Sequence, residues 1–172
     1  KAMEKTVEVG NPVCLFTRDV LSLPLRKLSS KVIAKDEKFL ADHPEPLWRD
    51  ESKTAVEWEW IYAISRLDLA ETQKRTMVQD YEIQAFRIGD FAMLGVKGEP
   101  FVEMQLAVKK ASPAPYTFVA HFCNGYAGYL PTRRAFEGGG YETRTGAGSR
   151  WDKSALERVE KASKAMLRSL WK

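Results

Sequence analysis

The chain has 172 residues, of which 44% are hydrophobic and 29% charged, with a formal net charge of +4 at pH 7. This length suits one domain with a sizeable core, and the composition excludes a disordered or collagen-like chain. Basic and acidic residues, 27 against 23, are interleaved, so the positive charge does not predict a nucleic-acid partner. The apolar runs are shorter than the ~20 residues of a membrane helix, and no signal-peptide pattern opens the sequence.

The opening segment and the cysteines bear on how the chain is organised. Lys1 comes first and Met3 lies inside a charged segment, so we expect residues 1–172 to be a single domain or a fragment of a larger one. Cys14 and Cys123 lie far apart in apolar runs, outside any Cys-x-x-Cys spacing. They are expected to be small buried hydrophobic side chains, and a disulfide between them is left open.

The first half of the chain predicts a strand region followed by two helices. Residues 13–25 are rich in apolar and β-branched side chains and predict one or two strands. Residues 29–42 predict a short helix that ends before two prolines. In residues 52–76, Thr54 and Glu57 fit a capping box, which indicates the start of an amphipathic helix.

The apolar face of this second helix is predicted from helical spacing. It is expected to comprise Val56, Trp60, Ile64 and Leu67. For Trp58 and Trp60 we expect packing rather than a ligand role, because large aromatic side chains dominate protein cores.

The second half predicts a hairpin, a helix and a further strand. Residues 81–100 contain two strands around a tight turn at residues 88–90. Pro100 suits the start of a helix because its φ is fixed and it lacks an N–H group. Residues 116–122 are almost continuously apolar and predict a strand that is buried on both faces. The apolar face of the helix is expected to comprise Phe101, Met104, Leu106 and Val108.

A closing helix is expected to begin around Ser154 and Glu157. Its apolar face is expected to comprise Leu156, Val159, Ala162, Met166 and Leu170. The order of strand, helices, hairpin, helix, strand and helix predicts an α/β fold in which helices cover a mixed sheet.

Ligand-binding residues are expected in the loops beyond the carboxyl ends of two strands. One loop comprises residues 98–100, and the other is "CNGYAGYLPT", residues 123–132, with Tyr126 and Tyr129. Glycine before Glu99 lets the backbone approach closely and proline after it fixes the turn, so the carboxylate is held as a ligand or general base requires. The alternatives are an interaction of Glu99 with the following helix N-terminus and a packing role for the tyrosines.

The histidines do not form a recognisable zinc motif. His121 lies in the predicted buried strand, where a hydrogen-bonded core residue is the commoner role, and His43 lies in a proline-rich turn. The sequence contains no His-x-His or His-x-x-x-His spacing and no Gly-x-Ser-x-Gly elbow for a Ser/His/Asp triad. A zinc site built from Glu99, His121 and Tyr129 is an alternative that requires His121 to face the loop.

Two longer segments carry a family resemblance. They are "IGDFAMLGVKGEPFVE", residues 88–103, and "NGYAGYLPTRRAFEGGGYE", residues 124–142. In this order they resemble the C-terminal part of the catalytic domain of the neutral/alkaline (non-lysosomal) ceramidase family. The likeness is best over residues 83–142 and loose elsewhere. It implies that the 172 residues are a single domain or a fragment of a larger catalytic domain.

The resemblance implies a zinc site shared between two parts of one protein. Family members hold zinc with two histidines from the N-terminal part and with a glutamate and a tyrosine from the C-terminal part. The glutamate corresponds to Glu99. The tyrosine corresponds to Tyr129 in the Asn-x-Tyr-x-x-Tyr loop that begins at Asn124, with Tyr126 as the fallback. Tyr141 matches a catalytic-site tyrosine near the substrate amide.

The implied function is that of the C-terminal portion of a zinc-dependent amidase that hydrolyses the N-acyl amide of ceramide-like lipids. The implied partners are an N-acyl sphingolipid-like substrate and a missing N-terminal half that supplies the two zinc histidines. This chain alone is expected to be inactive, and the resemblance implies a secreted or periplasmic protein. The alternative is a non-catalytic α/β binding module that retains the scaffold without the metal.

Overall fold

The structure, a computed structural model, describes residues 6, 8 and 10–172, and the segment with Lys1 and Met3 lies outside them. None of the described helices has the length and apolar character that a membrane crossing requires. The strands are β1 (Cys14–Pro24), β2 (Val78–Ile88), β3 (Phe91–Val96), β4 (Glu99–Pro100), β5 (Tyr116–Ala120) and β6 (Tyr129–Leu130). The α-helices are α1 (Ser30–Asp42), α2 (Trp58–Arg75), α3 (Val102–Ala111), α4 (Ala135–Gly138) and α5 (Ala155–Ser169). A 3₁₀ helix spans Tyr141–Thr143.

Four strands form one mixed sheet in the order β1-β2-β3-β5. The β1–β2 and β2–β3 pairs are antiparallel, whereas β3 and β5 are parallel. Helix α3 connects the parallel pair, as expected because parallel neighbours need a crossover connection. The predicted fold class, α/β with helices covering a mixed sheet, is confirmed.

The predicted hairpin is present and closes over two residues. Ile88 and Phe91 oppose one another, so Gly89 and Asp90 form the turn. Gly89 has a φ of +56°, a conformation that glycine adopts without steric cost. Residues 13–25 form a single strand, because β1 pairs with β2 from Cys14 to Pro24 without a break.

The core lies between one face of the sheet and helices α3 and α5. Alternate residues of β2 and β3 point into it, and all are fully buried: Tyr81, Ile83, Ala85, Ala92, Leu94 and Val96. They pack against Met104 and Val108 of α3 and against Leu156, Val159 and Leu167 of α5. Four residues of the predicted α5 face are buried, Leu156, Val159, Met166 and Leu170, so that face is confirmed for them. The residues that alternate along the strands and the residues that share one face of each helix thus form a single core.

The opposite face of the sheet carries apolar side chains that no described helix covers. Two rows cross all four strands: Cys14, Ile88, Phe91 and Tyr116 in one, and Phe16, Phe86, Met93 and Phe118 in the next. Most of these side chains are exposed, and the Phe91 and Tyr116 rings stack with centroids 5.0 Å apart. The prediction that residues 116–122 form a strand buried on both faces is therefore wrong. Cys14 is exposed as well, and both cysteines are free.

The predicted start of α2 is wrong. The helix begins at Trp58, and Glu57 caps it without a side-chain hydrogen bond. The hydroxyl of Thr54 donates instead to Asp50 at 3.1 Å, within the preceding turn. The capping-box pattern therefore belongs to a turn, and the predicted apolar face is misplaced: Ile64 is exposed, whereas Ala63, Leu69 and Ala70 are buried.

Two details of the predicted α3 are also wrong. Pro100 does not open the helix, because it pairs with Leu130 in a short ladder and α3 begins two residues later. Leu106 is exposed and does not belong to the apolar face. Helix α5 begins at Ala155, directly after Ser154; Ser154 makes no side-chain cap, and Glu157 pairs with Arg133 at 2.7 Å.

Helices α1 and α2 pack as a pair held by one buried ion pair. The Arg66 guanidinium donates to both oxygens of Asp36, at 2.6 and 2.7 Å. Asp36 is almost fully buried, so the bidentate geometry satisfies a carboxylate that would otherwise be costly to bury.

Candidate functional site

A short parallel ladder brings Glu99 and Tyr129 together. Strand β4 pairs with β6, and Glu99 lies directly opposite Tyr129. The Glu99 amide donates to the Gly128 carbonyl at 2.9 Å, and the Phe101 amide donates to the Leu130 carbonyl at 3.1 Å. The loops that follow the carboxyl ends of β3 and β5 therefore meet, which is where ligand sites of open α/β sheets form.

Glycines at two positions make this close approach feasible. Gly98 has a φ of +62°, and a Cβ atom there would overlap the Gly128 carbonyl oxygen. Gly128 has a φ of +71°, and its Cβ would overlap the carbonyl of Gly148. The Tyr129 amide donates to that same Gly148 carbonyl at 2.8 Å. The backbone at Gly128 is therefore in direct contact with the backbone of two other segments, at Gly98 and at Gly148. Any side chain at these positions would separate them.

Glu99 and Tyr129 share a cavity of 310 Å³ with His121 and Glu142. We call it the acidic cavity, because two carboxylates line it. His121 reaches this cavity from the end of β5 and is exposed, so the expectation of a core histidine is wrong. Within residues 6, 8 and 10–172, however, no three His, Cys, Asp or Glu side chains stand close enough to hold a metal ion.

The Tyr129 hydroxyl is kept in its neutral form. Its pKa is raised, first by burial, then by a hydrogen bond with Tyr141 and by the negative charge of Glu99. The Tyr141 ring meets the Tyr129 ring edge-on, with centroids 5.6 Å apart. Tyr141 itself is 62% exposed, so its hydroxyl is accessible to a ligand beside Tyr129. A cation at Glu99 would offset the charge that disfavours the Tyr129 anion.

The other two candidates of the loop do not line the acidic cavity. Tyr126 is exposed and stacks on Phe122 with ring centroids 5.8 Å apart, and it does not line the acidic cavity. Its pKa is raised by burial and by the charge of Glu99. The Asn124 side chain donates to Glu82 on the sheet at 3.0 Å. The geometry thus favours Tyr129 over Tyr126 as the partner of Glu99.

The fold resembles part of a solved ceramidase. The crystal structure of neutral ceramidase from Pseudomonas aeruginosa matches with a TM-score of 0.51 and 17% sequence identity, over 94% of this chain and 29% of that one. A structure of a ceramidase complexed with C2 matches with a TM-score of 0.46 and 24% identity, over 55% of this chain and 15% of that one. No protein-family model and no curated protein matches the chain.

What is shared is a fold. At 17% identity, the agreement over 94% of this chain concerns architecture and leaves residue roles open. The chain spans less than a third of the length of either solved ceramidase.

A second, larger cavity of 810 Å³ also has Tyr129 in its lining. We call it the aromatic cleft, because its lining includes Trp58, Tyr62, Tyr126, Tyr129 and Tyr141. Helix α2 forms one wall, and the segment from Tyr126 to Ser149 forms the other. Tyr129 lines both cavities, so the acidic cavity and the aromatic cleft adjoin at this residue.

Sequence reasoning missed most of this cleft. Trp58 was expected to pack, but it is 54% exposed and lines the cavity with Tyr62, Ile61 and Ser65. These four positions recur at three- and four-residue intervals, so they lie on one helical face, and that spacing was the signal available. No sequence pattern indicated that Arg144 lines the cleft. Its guanidinium lies 5.2 Å from the Tyr62 ring centroid.

Arg26 forms hydrogen bonds with residues 143–151, a segment that contributes to the far wall of the aromatic cleft. Its guanidinium donates to the Thr143 carbonyl and the Thr145 hydroxyl at 2.6 and 2.9 Å, and to the Ser149 hydroxyl and the Trp151 carbonyl at 3.0 and 3.2 Å. Burial lowers its pKa to about 10, opposed by the charge of Asp152. The hydrogen bonds offset the cost of burying this cation.

Tyr81 positions the start of the loop that carries Glu99. This fully buried side chain donates from its hydroxyl to the Lys97 carbonyl at 2.5 Å. Its ring meets Trp151 edge-on at 5.9 Å, and the Trp151 indole donates to the Ala127 carbonyl at 2.6 Å. One connected set of contacts therefore supports both halves of the β4–β6 ladder.

We expect Tyr81→Phe to change how stability depends on alkaline pH. Burial raises the pKa of Tyr81 above the usual 10, so its contribution to stability is complete below pH 10 and is lost as pH rises further. The free energy of unfolding should therefore fall by up to ~1.4 kcal/mol per pH unit from this group, and the variant should lack that part of the slope. Urea titrations from pH 8 upwards measure it.

Tyr116→Phe, on the exposed face of the sheet, is the control and should keep the wild-type slope. Equal slopes for wild type and Tyr81→Phe would contradict this role for Tyr81.

Proposed function

We propose that this chain is the C-terminal portion of a zinc-dependent amidase that resembles neutral ceramidase and hydrolyses the N-acyl amide of ceramide-like lipids. Glu99 and Tyr129 are the two zinc ligands that it supplies, and two histidines come from an N-terminal part of the same protein. The observation that carries this proposal is the direct pairing of Glu99 with Tyr129 across the β4–β6 ladder, at the edge of one cavity.

The donor chemistry fits one side of a tetrahedral zinc site. Structural and catalytic zinc ions are bound by carboxylate and imidazole groups at about 2 Å, and Glu99 offers a carboxylate beside a phenol oxygen. Burial and the negative charge of Glu99 raise the pKa of Tyr129 above its ordinary value, and a nearby cation would act in the opposite direction. When bound, zinc would supply a water of lowered pKa and polarise the amide carbonyl.

The other residues of the site have roles that follow from their positions. The exposed Tyr141, whose ring meets the Tyr129 ring edge-on, can donate its hydroxyl to a substrate carbonyl at the boundary of the two cavities. His121 and Glu142 line the acidic cavity and can orient polar groups of the substrate there. Tyr141 is therefore the proposed catalytic residue of this chain beside the two ligands.

Elemental analysis tests the proposal on this chain and on the polypeptide that contains both parts. We expect about one equivalent of zinc in the complete protein and little in this chain alone. In the complete protein, Glu99→Gln and Tyr129→Phe should each weaken zinc binding at least tenfold, since each removes one of four ligands. Amide hydrolysis should fall in parallel.

The controls are conservative changes at neighbouring positions. Glu103→Gln, in the exposed first turn of α3, should keep zinc content and turnover, and Tyr126→Phe should keep zinc content. A loss of zinc in Tyr126→Phe with none in Tyr129→Phe would transfer the ligand role to the fallback tyrosine. Wild-type zinc and turnover in both Glu99→Gln and Tyr129→Phe would refute the metal site.

The second candidate function is a non-catalytic α/β binding module that retains the scaffold without the metal. The observation in its favour is that the described residues offer no complete ligand set of their own. It predicts no zinc in either polypeptide, so the same elemental analysis separates the two functions.

A further inference from the structure

We infer that the aromatic cleft binds a fatty-acyl chain, with the acyl carbon at the Tyr129–Tyr141 boundary and the amine side of the substrate in the acidic cavity. This inference rests on the proposed function and adds the orientation of the substrate to it.

The shape and lining of the aromatic cleft suit a hydrocarbon chain. Its volume of 810 Å³ falls within the roughly 300–1,000 Å³ of small-molecule sites, and five aromatic residues line it. Ile61 and Trp58 on α2 add apolar surface that is exposed to solvent when the cleft holds no ligand. Covering this surface with a chain of methylene groups is favourable at ~0.8 kcal/mol for each buried CH₂.

The charges of the two cavities are opposite. Arg144 is the one charged side chain that lines the aromatic cleft among the described residues, whereas Glu99 and Glu142 line the acidic cavity. Arg144 faces Tyr62 and approaches Glu59 only to 3.9 Å, so its guanidinium retains unused donors. A carboxylate is therefore favoured in the cleft and an ammonium group in the acidic cavity. Hydrolysis of an N-acyl amide yields one of each.

Tyr129 lies where the two cavities adjoin. Its ring is part of both linings, and Tyr141 meets it edge-on in the aromatic cleft. An amide held at this boundary has its acyl chain on the aromatic side and its nitrogen on the acidic side. The Glu99 carboxylate then lies beside the scissile bond, where the proposed metal site requires it.

Binding of dodecanoate to this chain, followed by tryptophan fluorescence, tests the inference without zinc or turnover. Two isoleucines of α2 provide a matched pair of variants: Ile61 is 38% exposed and lines the cleft, whereas Ile64 is 41% exposed and does not. Ile61→Asp should weaken dodecanoate binding at least tenfold, and Ile64→Asp should leave it unchanged. Circular dichroism confirms that both variants fold.

Dodecylamine, which has the same chain and the opposite charge, tests the orientation. We expect it to bind more weakly than dodecanoate, and Arg144→Gln should reduce this preference. Equal effects of Ile61→Asp and Ile64→Asp, or tighter binding of dodecylamine, would overturn the inference. If the complete protein binds zinc but this chain does not bind dodecanoate, the acyl-chain inference is overturned and the proposed amidase function stands. Dodecanoate binding without zinc would refute the amidase and leave a fatty-acid site.

Discussion

Gly98→Ala is expected to lower the free energy of unfolding by about 3 kcal/mol, through two separate costs. Gly98 has a φ of +62°, in the left-handed region, which costs a residue with a Cβ about 1–2 kcal/mol. The new methyl group would also overlap the Gly128 carbonyl, to which the Glu99 amide is bonded. Relieving that overlap means moving β4 away from β6. Urea unfolding measures the loss.

The effect should extend from stability to the site. If Gly98→Ala separates the ladder, the Glu99 carboxylate and the Tyr129 hydroxyl move apart, and zinc binding at the proposed site of the complete protein should weaken. Gly138→Ala is the control, because a Cβ at this helical position meets no atom within 4 Å. Its stability should stay within about 1 kcal/mol of wild type and can even increase. A Gly98→Ala variant of wild-type stability would show that the ladder does not depend on this glycine.

Arg26→Met is expected to cost about 3 kcal/mol or more, because it removes a set of hydrogen bonds and leaves their acceptors without a donor. Methionine preserves the apolar part of the side chain, so the loss isolates the guanidinium. The carbonyls of Thr143 and Trp151 and the hydroxyls of Thr145 and Ser149 all lose that donor. Since this segment forms the far wall of the aromatic cleft, dodecanoate binding should weaken as well.

Arg18→Met is the matched control for this change. Arg18 likewise donates a hydrogen bond, to the Glu82 carboxylate at 2.6 Å, but its side chain is more than half exposed, so solvent screens the pair. Its replacement should change urea unfolding little. If the two variants unfold at the same urea concentration, Arg26 does not organise the segment as described.

Some features of the fold follow from local patterns. The β2–β3 hairpin was predictable because Gly89 and Asp90 form a turn that leaves apolar residues on both sides. The face of α5 was predictable because its buried leucines and valine recur at helical spacing. In both cases the information lies within about 15 adjacent residues.

Other features depend on which neighbours an element meets. The aromatic residues of β5 indicate a strand, but the sequence does not say that helices cover one face only, so exposed Tyr116 and Phe118 were predicted to be buried. The Thr54–Glu57 pattern placed the start of α2 too early, because a turn around Asp50 uses the threonine.

Some residues of the candidate site could be predicted from local sequence, and others could not. Glu99 stood out because glycine and proline flank it, but its pairing with Tyr129 came from a family resemblance. No spacing predicts contacts between residues on different loops. Glu142, Arg144 and Arg26 gave no signal, since each acts through partners that are distant in the chain.

The long-range bonds of Arg26 have a consequence for the order of events in folding. They join residues 117 to 125 positions apart in the sequence, whereas the β2–β3 hairpin closes over two residues. Contacts of high sequence separation pay a larger entropy of loop closure before they contribute any stability. The hairpin can therefore form early, and the corner that holds Glu99, Tyr129 and the aromatic cleft forms late. The corner that holds the proposed site is then expected to be among the last parts of the molecule to form.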